Sequence, residues 1–298
     1  MSQLYAVLVD GAMYAAWLFL VALGLTLVYG VLKILNMAHG SLYALGAYAG
    51  VTLIGPWVAH GGNLYVSYLL LVVAAMVAGA AVGIIMERGV LRRFYGQDPV
   101  VLLLVTYALF LIMEDAMKLV WGVDSYSVSE PYGFLGNFSM GDLSYPNYNF
   151  IILGMAILAG VGLTSFLSYT RTGRLLRAVI HDREVSQALG IRVNRYFVTT
   201  FVVGAVLAAL GGALTAPTVS VAPGMGVEVI VLTFAVVVIG GLGSLPGAAL
   251  GALLVGLVRA AAVHYWPQGE LFSIYIVMAL VLVFRPKGLF VLAEARKI

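Results

Sequence analysis

KILNMAHGSLYALGAYAG, residues 33–50, brings Lys33, Asn36, His39 and Ser41 close together in a chain that is apolar on both sides of them. The residues before it, 12–32, and from 40 to 59 are each long enough to cross a hydrocarbon core of about 30 Å, which takes about 20 residues of helix. The same pattern recurs near 66–86, 100–121, 149–169, 198–216, 229–243, 246–263 and 268–284. The whole chain of 298 residues is 62% hydrophobic and 10% charged, where soluble domains are about a quarter charged. That much apolar surface needs lipid around it. The expectation is an all-α polytopic membrane protein, a bundle of eight or nine transmembrane helices forming a single domain over 1–298. The runs at 229–243 and 271–284 are short and leave the count open, as tilted, broken or re-entrant pieces. The alternating ten-residue segments of an outer-membrane barrel do not occur.

Charge gives the orientation. Arg88, Arg92 and Arg93 follow the third run, and 170–197 carries six arginines against Asp182 and Glu184. Arg285, Lys287, Arg296 and Lys297 follow the last run. Residues 123–148 hold Asp124, Glu130 and Asp142 and no basic residue. Positive loops stay in the cytoplasm, so 87–99, 170–197 and the C-terminus are expected inside, with 123–148 and the N-terminus outside. The opening MSQLYAVLVD has no basic residue, unlike the start of a cleaved signal peptide.

Several chemistries find no support. The chain has no cysteine, which removes disulfides and thiolate chemistry. His39, His60, His181 and His264 lack metal-ligand spacing. GGLGSLPG at 240–247 lacks the lysine of a phosphate-binding loop. An enzyme is not expected, nor a cofactor held by this chain. The net charge of +3 belongs to loops beside spans and does not point to nucleic acid. Glu114, Asp115 and Lys118 read as a local ion pair near the outer interface, and Arg259 has no assigned role. Of the 35 glycines, Gly46/Gly50, Gly79/Gly83 and Gly247/Gly251 lie inside spans. Such pairs serve either close helix packing or a helix that slides or breaks.

The longest inside loop has internal order. In HDREVSQALGI, 181–191, Asp182 is placed to cap a helix, Glu184 lies in its first turn and Gly190 can end it. About two turns do not stand alone. Docking onto a partner and a surface turn whose arginines touch anionic lipid both remain open on these grounds.

These stretches, in order along nearly the whole chain, resemble the LivH-type permease of bacterial branched-chain amino acid ABC importers. GLTLVYGVLKILNMAHGSLYALGAYAG at 24–50 is similar to its N-terminal signature, and TGRLLRAVIHDREVSQALGI at 172–191 to its coupling loop. PGMGVEVIVLTFAVVVIGGLGSLPGAALGALLVGL at 223–257 and RPKGLF at 285–290 match its later blocks. Val185 and Ser186 replace the two alanines usual in the coupling loop, and Ala108 stands where glycine is common. The resemblance implies a permease of the cytoplasmic (inner) membrane that forms half a translocation path with a second, M-type permease. Two cytoplasmic ATPase subunits using ATP and Mg, and a periplasmic substrate-binding protein, would complete it. It implies ATPase coupling through Asp182, Arg183, Glu184, Val185, Gln187, Ala188, Leu189, Gly190 and Ile191. A secondary carrier for amino acids, urea, amides or organic acids is the competing reading.

If 34–45 is helical, Asn36, His39 and Tyr43 share one face, and polar groups at membrane depth need partners or water. HGSLYALGAY at 39–48 has an echo in LGSLPGAALGAL at 242–253. Paired interrupted segments in two halves of a transporter point to its path, and Ser41 and Ser244 could each cap a helix there. Asn36, His39, Ser41, Tyr43, Gly243 and Ser244, with Thr106 and Tyr107, are the candidate path residues; purely structural hinges are the other reading.

Overall fold

The computed structural model describes residues 2–140 and 143–290, so Asp142, Arg296 and Lys297 lie outside the described residues. It is a helical bundle. The crossings are α1 (Ser2–Leu32), α2 (His39–Ala59), α3 (Leu64–Gly89) and α4 (Pro99–Trp121). An outer segment follows, with α5 (Glu130–Phe134) and a hairpin of β1 (Asn137–Met140) and β2 (Leu143–Pro146). The hairpin pairs Phe138 with Tyr145 and Ser139 with Ser144. Then come α6 (Tyr148–Tyr169), α7 (Arg171–His181), α8 (Arg183–Ala188), α9 (Val193–Thr215), α10 (Met225–Gly240), α11 (Leu245–Tyr265) and α12 (Glu270–Phe284).

Among the described residues, eight helical segments are long and apolar enough to cross a membrane, and α10 is a shorter apolar helix. Its 16 residues rise about 24 Å, less than the full core. Its two ends nevertheless meet opposite faces. Val221, just before it, exchanges backbone hydrogen bonds with Tyr126 of the acidic outer segment. At its other end the Ile239 and Gly240 carbonyls accept from Leu289 and Phe290 of the basic C-terminal segment. With α10 counted the crossings are odd in number, which agrees with termini on opposite sides.

Helix α9 is the spine. Gly46 and Gly50 of α2, and Gly79 and Gly83 of α3, all turn toward it: a Cβ on Gly79 would lie 2.8 Å from the Val206 Cα, and one on Gly83 2.9 Å from the Ala205 Cβ. These pairs therefore act as packing faces. Lipid supplies no hydrophobic drive between helices, so close backbone approach provides the contact energy. Helix α1 is buried along most of its length between α9 and α11, around Leu18, Leu25 and Val236. Helix α4 is peripheral. It buries a single stripe, Leu102, Thr106, Phe110, Glu114 and Met117, spaced three or four residues apart.

The expected ion pair divides here. Asp115 bonds Lys118 at 3.0 Å on the outside of α4. Glu114 points inward on the buried stripe, where its Oε2 accepts from the Gly224 N–H at 3.0 Å. Lys118 stands four residues after Glu114 and three after Asp115, spacings that allow either pair; the structure gives its bond to Asp115.

Candidate functional site: two broken crossings beneath an outer cavity

Helix α1 ends at Leu32, and Lys33 has φ +56°, the one described non-glycine residue with positive φ. The left-handed backbone stops the helix, and residues 33–36 run irregularly before a turn into α2. Asn36 is therefore not on a helical face shared with His39 and Tyr43, as the sequence pattern suggested; the helix starts three residues later. Position 38, an alanine, is the N-cap, so Ser41 does not cap α2 either. Its hydroxyl instead donates to the Phe110 carbonyl of α4 at 3.2 Å.

Thr106 clamps the break. Its Oγ1 accepts from the Met37 N–H at 3.2 Å and donates toward the Leu35 carbonyl at 3.1 Å. Irregular backbone at membrane depth needs such partners. Tyr107 lies off the buried stripe of α4, 45% exposed and stacked on Phe110, so it does not converge with the other candidates. Asn36 is fully buried, and neither atom of its amide has a partner among the described residues. His39 Nε2 lies 2.9 Å from the Val21 carbonyl, which can only accept. That fixes the proton on Nε2 and leaves Nδ1 as a buried acceptor with no partner.

The second break joins α10 to α11. Gly241 and Gly243 have φ +106° and +82°, backbone that a side chain would strain. Ser244 caps α11 as expected, accepting from the Gly247 N–H at 3.1 Å. The two breaks are neighbours: a Cβ on Gly30, near the end of α1, would lie 3.4 Å from the Gly243 carbonyl oxygen.

Above them, toward the outer face, a cavity of ≈ 560 Å³ opens between α1, α2, α6, α9, α10 and α11. Tyr43 is the candidate path residue that lines it, beside Thr215. The Thr215 hydroxyl donates to the Gly211 carbonyl, so Tyr43 donates to Thr215 Oγ1 across 2.6 Å. Asn36, His39 and Ser41 lie below this pair, sealed inside the chain. The walls carry charges that spacing did not assign. The Glu228 carboxylate is exposed to the cavity. Arg259 pairs with Glu270 and sits over the Tyr14 ring, 4.0 Å from its centroid. Asp10 bonds His264 at 2.8 Å. Tyr145 of β2 closes the rim, its phenol pushed above its ordinary pKa by burial and then by the Asp10 carboxylate. Lone charges within apolar runs were the available signal for these residues.

On the cytoplasmic face, Asp182 accepts from the Val185 N–H at 2.9 Å and caps α8. At the other end the Gly190 N–H bonds the Gln187 carbonyl and the Ile191 N–H that of Ser186, at 2.9 and 3.0 Å. With Gly190 at φ +81° this is a Schellman stop. Ser186 is buried, while Val185 and Leu189 are 53% and 75% exposed.

The sequence profile of the family described as branched-chain amino acid transport system, permease component, matches residues 7–284. The chain belongs to this permease family. The permease is 32% identical over 306 residues to the high-affinity branched-chain amino acid transport system permease protein BraD of Pseudomonas aeruginosa, covering 100% of this chain and 98% of the relative. It is 29% identical to LivH of Escherichia coli, covering 100% and 97%. It is also 26% identical to the ribose import permease protein RbsC of Escherichia coli, over 80% of this chain and 72% of that one. No solved structure matches the chain significantly. It is a multi-pass membrane protein and a permease, not an enzyme.

Proposed function

We propose that the permease is the H-type transmembrane subunit of an ATP-driven, binding-protein-dependent importer whose cargo is branched-chain or related amino acids. In this reading a second, M-type permease shares the translocation path, two ATPase subunits hydrolyse ATP with Mg in the cytoplasm, and a periplasmic protein delivers substrate. The chain acts as one membrane domain and binds no cofactor itself. The observation that carries the docking part is α8. It is a helix of 6 residues, capped at both ends, and its Val185 and the C-cap residue Leu189 are exposed. The exposed Val185 and Leu189 support a contact surface at this loop, and a helix of that length becomes rigid only when packed.

Substrate enters through the outer cavity, where Glu228 and the aromatic walls suit an ammonium group and Val229, Leu232 and Val263 suit an aliphatic side chain. Beneath the Tyr43–Thr215 pair, His39 Nδ1 and the Asn36 amide are among the buried polar groups without partners in the described residues, and a moving polar cargo can use them. Gly243 and Ser244 belong to the adjoining hinge, and Ser41 and Thr106 hold the first break. Similarity to a ribose permease indicates that the scaffold is compatible with more than one cargo.

Val185→Asp combined with Leu189→Asp tests the docking role. In the reconstituted assembly the double variant inserts normally and loses ATP-driven uptake. Normal ATP-driven uptake would overturn the assignment. Uptake that ignores ATP and collapses with a protonophore would instead establish a secondary carrier.

A further inference from the structure

Three hollows on the cytoplasmic half of the molecule run into one another. An apolar groove of ≈ 440 Å³ lies between α6, α7 and α9, with Leu27 of α1 in its wall. It shares Thr172, Tyr196 and Thr199 with a hollow of ≈ 460 Å³ that ends at Leu189, Gly190, Arg192 and Arg195. A third, of ≈ 470 Å³, shares Arg192 and Arg195 and adds Arg92. All three arginines are exposed, and none belongs to an ion pair among the described residues. The result is a slot, greasy at one end and cationic at the other.

Its dimensions fit one leaflet. From Thr199 to Leu207 along α9, and from Leu158 to Phe166 along α6, the wall rises about 12 Å, against about 15 Å for half a hydrocarbon core. The cationic end lies at the cytoplasmic interface, beside the amphipathic α7, whose Leu176 and Val179 face inward and whose Arg174 and Arg177 are exposed. Lipids of the cytoplasmic leaflet are the anionic ones such a site meets. At Gly162, mid-groove, an added Cβ would meet nothing within 4 Å. That space is open to a chain of methylenes.

We propose that this slot binds one anionic phospholipid of the inner leaflet, with an acyl chain in the groove between α6 and α9 and the headgroup phosphate on Arg192 and Arg195, Arg92 nearby. The occupant abuts Leu189 and Gly190, where the Schellman stop ends α8. It braces an element that is too short to hold its shape alone. On the proposed importer reading, the same lipid therefore sets how firmly the ATPases engage.

The test is a lipid titration of the purified permease, read by native mass spectrometry with phosphatidylglycerol and phosphatidylcholine of identical chains. Each basic residue beside an anionic headgroup is worth about fivefold in affinity. Arg192→Gln with Arg195→Gln is thus expected to weaken phosphatidylglycerol about 25-fold and to weaken phosphatidylcholine, whose choline cation offsets its phosphate, far less. Gly162→Phe is expected to remove the tight adduct altogether by filling the groove, without touching the arginines. Equal binding of the two lipids to the unaltered protein, or no effect of either variant, overturns the proposal. These readouts need no ATPase subunit, so they stand or fall apart from the importer reading. In the full assembly, ATP turnover in phosphatidylglycerol nanodiscs is expected to exceed that in pure phosphatidylcholine and to lose this advantage in the double variant. Equal turnover in the two lipids overturns the bracing of α8.

Discussion

Thr106→Val keeps the side-chain shape and deletes the hydroxyl that holds the first break. Thr106 is fully buried, and its oxygen serves the Met37 N–H at 3.2 Å and the Leu35 carbonyl at 3.1 Å. The hydroxyl proton is shared with Leu103, whose carbonyl lies 3.0 Å away within the same helix, so the two losses that count are those on the break. A buried backbone group left without a partner costs about 1–3 kcal/mol; Met37 is half-buried and Leu35 exposed, so the low end applies, about 2 kcal/mol for the pair. Side-chain hydrogen bonds between membrane helices average about 0.6 kcal/mol each, which would give only about 1.2 kcal/mol for two. The measurement is denaturant unfolding of the purified permease in micelles, with Thr106→Ser as the control. Serine keeps the hydroxyl and loses one methyl, about 0.8 kcal/mol. Valine is expected to cost about 2 kcal/mol and clearly more than serine, and to lower uptake while the ATPases stay bound. If valine is no worse than serine, Thr106 is not the clamp and the account of the break is wrong.

Two further outcomes follow from the same packing. Asn36→Leu removes two buried polar atoms that have no partner, so thermal unfolding should move upward by a few degrees, about 2–4 °C per kcal/mol, while uptake falls. Unchanged uptake kinetics would take Asn36 out of the path and leave it as a turn residue. Gly247→Val drives a side chain into the Gly240 backbone, an overpacking worth about 1–3 kcal/mol; a drop in melting temperature is expected that Gly154→Val, with nothing within 4 Å of an added Cβ, does not share.

Local chemistry was legible in the sequence and long-range partnership was not. Asp182 and Gly190 bracket α8 as their spacing indicated, because a cap and a left-handed stop are decided within a few residues. The orientation from basic loops agrees with the faces that α10 joins. The polar stretch at 33–41 was legible as a break, yet its helix start was placed too early. The positive φ of Lys33 has no sequence signature comparable to glycine, and that displaced Asn36 from the expected face and Ser41 from the expected cap. Thr106 and Tyr107 are adjacent in sequence, but which of them turns inward depends on where α4 leans, and only the buried stripe decides it. Lys118 bonds Asp115 as its spacing indicated, while the hydrogen bond of Glu114 was hidden for the same reason: its donor is Gly224, 110 residues away.

The bonds from Leu289 and Phe290 to the end of α10 also bear on how the molecule is made. Synthesis delivers the crossings in order, and α10 is complete before the residues that bond its last carbonyls exist. Their partners leave the ribosome roughly fifty residues later, after α11 and α12, at about 5–20 residues per second. For several seconds, while α11 and α12 are being made, the end of α10 thus stays an open cytoplasmic seam. A chain cut short after Phe284 would remain in that state, inserted but recognisable to a membrane protease as unfinished.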